Sequence, residues 1–139
     1  MNKIAAALIT KMNDSGLVHR VEPDPVEYDR YREKYNASLP VEPDYYKVIT
    51  EFLLGISNDY LNVYLMYEEE IGWYLSDTNN IYAILDDYYE LTETMLRKAA
   101  EEAGLEFDNY GFYAMNITEE NVVEILRRYQ RAIELLTRR

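Results

Sequence analysis

Cysteine is absent from this 139-residue chain. That excludes disulfides, Cys-rich zinc sites and thiol nucleophiles together, and it fits a reducing compartment. Histidine occurs once, as His19. No histidine metal cluster can be assembled from it, and a catalytic triad would hang on one residue of an expected linker. The glycines stand apart, at 16, 55, 72, 104 and 111, so no glycine-rich phosphate cradle exists. No apolar run approaches the roughly 18 residues needed to span a bilayer. The opening stretch MNKIAAALITKMNDS is apolar at first, but Lys11 interrupts it and no small-residue cleavage site follows. An amphipathic helix is expected there rather than a secretion signal, and the location expected from these absences is cytoplasmic.

The most informative absence is one of charge. Between Lys47 and Arg97 there is no Lys or Arg, while the same interval holds Glu51, Asp59, Glu68, Glu69, Glu70, Asp77, Asp86, Asp87, Glu90 and Glu93. The whole chain has a formal charge of −12, and these ten unbalanced acids supply most of it. A surface of that sign repels polyphosphate and anionic lipid and favours basic protein surfaces, so neither direct nucleic-acid binding nor membrane binding is expected. With 48% apolar and 29% charged residues, the chain has the composition of one globular domain over 1–139 rather than of a disordered segment.

The apolar spacing predicts mostly helix. Ile4, Ala5, Leu8 and Met12 repeat at helical intervals, and Asn13 to Gly16 can terminate that helix. Asp24 as cap, Pro25 at the first position and Tyr28, Tyr31 and Tyr35 on one face suggest a short second helix. Tyr46, Ile49, Phe52, Leu53 and Ile56 suggest a buried third. Over 60–75 two patterns compete. Tyr60, Val63, Tyr64, Tyr67, Ile71, Tyr74 and Leu75 fit a helical face, whereas YLNVYLMY also alternates as a strand, with a hairpin turning at Glu68 to Glu70 as the alternative. A long helix is expected from a cap at Ser76, Asp77 or Thr78 to Gly104, followed by an aromatic connector or short strand over 105–117. A last helix then buries Val122, Ile125, Leu126, Tyr129, Ile133 and Leu136. The expected fold is all-α: a five- to six-helix bundle or orthogonal helical array, with at most one short strand or hairpin.

On a continuous helix Asp86, Glu90 and Glu93 would share one outward ridge. An acidic ridge is most simply a solvated face. Interleaved with Tyr and Trp, which offer large contact area at little entropic loss, it is also a surface for an Arg- and Lys-rich partner. The candidate partner-binding residues are Glu68, Glu69, Glu70, Trp73, Asp86, Asp87, Tyr89, Glu90 and Glu93. The expected function is a non-enzymatic binding protein that inhibits or sequesters a basic, nucleic-acid-processing protein, without a cofactor. Toxin immunity proteins and phage anti-restriction or anti-CRISPR proteins share this size and charge, an analogy of composition only. One alternative is a carboxylate-only Mg²⁺ site built from Glu69 or Glu70 with Asp86, Asp87 and Glu90, as in all-α nucleotide pyrophosphohydrolases. There Glu pairs spaced i and i+3 are required, and Gly72 and Trp73 stand at those positions here. A second alternative is a subunit of a helical assembly.

Overall fold

The structure is a computed structural model and describes residues 3–23 and 45–138. The helix expected from Asp24 to Tyr35 lies outside the described residues. Helix α1 (Lys3–Asp14) is followed by strands β1 (Val18–Pro23), β2 (Tyr45–Leu53), β3 (Tyr60–Glu68) and β4 (Gly72–Ser76), with a short 3₁₀ turn at Gly55–Ser57 between β2 and β3. Helices α2 (Asn80–Leu85) and α3 (Glu93–Ala103), the hairpin strands β5 (Glu106–Asp108) and β6 (Gly111–Ala114), and helix α4 (Val122–Thr137) complete the order. The strands form one antiparallel sheet in the order β1-β2-β3-β4-β6-β5.

The all-α bundle is therefore wrong, and the reason is local. In β2, Tyr46, Val48, Thr50 and Phe52 are buried while Glu51 and Leu53 are exposed. That period of two suits a chain of β-branched and aromatic residues better than the helical spacing of Tyr46, Ile49, Phe52, Leu53 and Ile56. Residues 60–75 form the hairpin that sequence patterning placed second. Leu61, Val63 and Leu65 point into the core, and the pairing to β4 sets Leu65 opposite Leu75 and Tyr67 opposite Trp73. The Ile71 N–H donates to the Glu68 carbonyl to close the turn, and Gly72 leaves it at φ 77°, a left-handed conformation that glycine adopts without a steric penalty.

The long helix expected over 77–103 is broken as well. Helix α2 ends at Leu85, and Thr92 caps α3 by accepting the Met95 N–H at 3.2 Å. Asp86 and Asp87 sit at the carbonyl end of α2, where the helix dipole disfavours negative charge, and Thr92 offers a fresh N-cap a few residues on. The two end helices match expectation except at Ile4, which is exposed: α1 buries Ala5, Leu8 and Met12, and α4 buries Val122, Ile125, Leu126, Tyr129, Ile133 and Leu136. Gly104 terminates α3 at φ 81°.

All four helices of the described residues contribute to one core, with Leu8, Ile81, Leu96 and Leu126 joining Val48, Val63, Leu75 and Phe112 of the sheet. The architecture is thus two layers, helices on one sheet face. The opposite face carries a small cluster of Tyr45, Tyr64, Met66 and Tyr74. No helix among the described residues is long and apolar enough to cross a membrane.

Candidate functional site

The ten acids of the base-free interval do different things. Asp77 is fully buried and structural. Its Oδ1 accepts the Phe112 N–H at 2.8 Å and the Asn79 N–H at 3.3 Å, and its Oδ2 accepts the Ile81 N–H at 2.8 Å. One carboxyl therefore ties the end of β4 to the start of α2 and to β6. Burial outweighs those three donors and raises its pKa from 3.8 to about 6. Beside it, the Tyr129 hydroxyl reaches the Phe112 carbonyl at 2.8 Å and the Leu75 carbonyl at 3.3 Å. Burial, reinforced by the nearby Asp77, pushes that hydroxyl well above the usual tyrosine range.

Two other acids are paired. Glu51 meets His19 Nδ1 at 2.5 Å, and the His19 ring stacks on Tyr60 with centroids 5.7 Å apart. Glu93 pairs with Arg97 at 2.8 Å.

The remaining candidates separate into two groups. Glu68, Glu69 and Glu70 form the tip of the β3–β4 hairpin, where the Tyr74 hydroxyl donates to Glu68 at 3.2 Å. Trp73 lies beneath this tip and is only 6% exposed; its ring is 5.2 Å from Tyr67 and its Nε1 has no hydrogen-bond partner among the described residues. It belongs to the core and offers no free contact area. Asp86, Asp87, Tyr89 and Glu90 instead lie in the connector between α2 and α3. Tyr89 docks on Gly55, where an added Cβ would come within 2.7 Å of its hydroxyl oxygen. That contact seats the connector against the beginning of β3. The eight residue steps of β3 then separate it from the hairpin tip by about 26 Å at the usual strand rise. No single ridge joins Asp86, Glu90 and Glu93, because the helix that was to carry them ends at Leu85. The facing-helix carboxylates required by the Mg²⁺ alternative are likewise not formed, since Glu69 and Glu70 occupy a turn at the other end of the strand.

The connector end is richer than the acids alone. The β2–β3 connection is held by the Leu54 N–H donating to the Asp59 carbonyl at 2.8 Å and by the Ser57 hydroxyl donating to the Leu54 carbonyl at 2.7 Å. Asn58 takes a left-handed φ of 66°. The Asn62 N–H, on the β4 side of β3 beyond the end of β4, donates to the Asn80 side chain at 3.0 Å, which fixes α2 beside this connection. At this end of the molecule Ile56 is 69% exposed, Tyr88 49%, Leu53 48%, and Tyr60 and Tyr82 40% each. Asp59, Asp86 and Asp87 are exposed at the same end and form no ion pair among the described residues. Leu53, Ile56 and Asp59 escape a sequence reading because a helical spacing assigns Leu53 and Ile56 to a buried stripe. The turn-forming run Gly55, Ser57, Asn58 and Asp59 was the available signal.

Among the described residues no group of three or more His, Cys, Asp or Glu side chains is placed to hold a metal ion. No family model matches the chain, no curated protein is detectably similar to it, and no solved structure matches it.

Proposed function

We propose that this protein is an acidic binding protein that occupies a cationic surface on a basic partner, a nucleic-acid-processing protein being the kind with such a groove, and thereby inhibits or sequesters it. One observation carries this reading. The exposed apolar and aromatic side chains Leu53, Ile56, Tyr60, Tyr82 and Tyr88 lie at the same end of the molecule as Asp59, Asp86 and Asp87, acids that form no ion pair among the described residues. An apolar centre with a charged rim is the anatomy of a protein interface. The acids steer a cationic partner from a distance and the apolar groups hold it on arrival. A solvated acidic face needs no such company of exposed Ile, Leu and Tyr.

The test is kinetic. A partner captured from an extract of the source cells is measured for association at two salt concentrations with the wild type and two triple variants. Asp59→Lys, Asp86→Lys and Asp87→Lys together should slow association at least ten-fold and flatten the salt dependence, since the attraction acts within a Debye length of about 8 Å at physiological ionic strength. Glu101→Lys, Glu102→Lys and Glu106→Lys make the same change in net charge on α3 and its exit. Equal slowing by the two variants would reject the local surface and leave only a diffuse charge effect.

A further inference from the structure

Resting on that reading, we propose that the α2 end of this surface is built for arginine: a guanidinium of the partner lies over the Tyr82 ring and pairs with the Asp86 carboxylate, with Asp87 beside it. Tyr82 and Asp86 are four residues apart, and the Asp86 N–H donates to the Tyr82 carbonyl at 2.9 Å. Asp86 itself retains right-handed helical geometry at the C-cap, φ −62° and ψ −23°. Ring and carboxylate therefore share one face of α2, and both are exposed.

The electrostatics there run against stability. Two consecutive acids follow the carbonyl end of a helix whose last turn holds no basic residue. Asp86 and Asp87 have no ion-pair partner among the described residues. A cation from outside the chain relieves both the dipole and the two carboxylates.

The aromatic ring decides which cation. A guanidinium is planar and weakly hydrated, so it can stack on a ring while its N–H groups bind a carboxylate in plane. An ammonium is a compact, strongly hydrated point charge that does not offer both contacts at once. The same chain already holds one arginine this way. Arg97 Nη2 donates to Glu93 at 2.8 Å while its guanidinium carbon lies 5.3 Å from the centroid of the Phe107 ring. At the α2 end the ring and the acid are present, and no arginine among the described residues pairs with that acid.

The probes are fluorescein-labelled nona-arginine and nona-lysine peptides, equal in charge, titrated by anisotropy in 50 and 300 mM salt against the full chain. The wild type should bind nona-arginine about five-fold more tightly than nona-lysine. Tyr82→Leu should weaken nona-arginine about three-fold, the scale of an exposed cation–π contact, and leave nona-lysine unchanged. Tyr82→Phe should retain the preference, and Asp86→Asn should weaken both peptides. Circular dichroism confirms that each variant is folded, as expected for exposed positions. Equal binding of the two peptides, an arginine preference that survives Tyr82→Leu, or equal loss of both peptides in Tyr82→Leu would each overturn the arginine site while leaving the acidic surface in place. Binding of neither peptide to the wild type at 50 mM salt would overturn the acidic surface as well.

Discussion

Replacing Asp77 by asparagine is expected to gain stability relative to the wild type as pH rises, although the carboxyl accepts three backbone N–H groups. Burial raises its pKa in the folded state from 3.8 to about 6. The folded chain therefore holds a proton on Asp77 where the unfolded chain has released it. The stability contributed by that proton is fully present below 3.8 and is lost as pH rises through about 6. A shift of that size corresponds to about 3 kcal/mol. Asparagine is close in shape to the protonated acid and never ionises. Well below the unfolded-state pKa Asp77→Asn should be less stable than the wild type by about 1–3 kcal/mol, because its single oxygen can keep the Phe112 and Asn79 donors while its NH2 group cannot accept the Ile81 N–H that Oδ2 accepts. By linkage that difference should then move in the variant's favour by roughly half of that 3 kcal/mol at pH 5 and by nearly all of it at pH 8. Asp77→Ala separates packing from charge. It leaves the Phe112, Asn79 and Ile81 N–H groups without an acceptor at every pH, at about 1–3 kcal/mol for each group that water cannot reach. The assay is urea unfolding at pH 5 and 8, followed through Trp73, the single tryptophan of the chain and a buried one. If Asp77→Asn proves less stable than the wild type and the deficit grows with pH, the three donors outweigh burial and the sign of the argument is wrong.

Two further substitutions probe the frame that positions the candidate surface. Gly111 has φ 105° and an added Cβ would meet Asp77 Oδ1 at 2.2 Å, so Gly111→Ala should lower stability by at least about 3 kcal/mol. Gly16→Ala, at φ 77° with open space around it, should lose only about 1–2 kcal/mol for its left-handed backbone; equal losses in thermal or urea unfolding would refute the steric account. Thr92→Ala removes the cap that starts α3 and should lower stability by about 1 kcal/mol, with Thr92→Ser restoring most of it.

The ends of the chain were readable, because α1 and α4 bury residues at helical spacing and the run Asn13 to Gly16 stops α1. Gly104 marked the end of α3 for the same reason, since a left-handed terminus favours glycine. The base-free interval from 48 to 96 was also plain in the composition. The middle misled because Tyr and aliphatic residues are so dense there that periods of 2 and 3.6 both find matches. Over 60–75 the choice depends on which neighbours exist, and a strand is stable only once β2 and β4 supply its hydrogen bonds. Asp77 looked like one more surface acid or a helix cap; Phe112, 35 residues away, makes it a buried junction.

The sequence alone determined that the protein is acidic over one continuous stretch, lacks thiol and histidine-cluster chemistry, and begins and ends its described part with amphipathic helices. Only tertiary structure decided where the acids go. Pairing β3 with β4 moved Glu68, Glu69 and Glu70 to one end of the sheet and buried Trp73. Ending α2 at Leu85 left Asp86 and Asp87 at the other end, beside Asp59 and exposed Ile56. Charge is a property of each residue and survives any fold. The company a charge keeps depends on hydrogen bonds and packing between segments distant in the chain, and local periodicity holds no record of these.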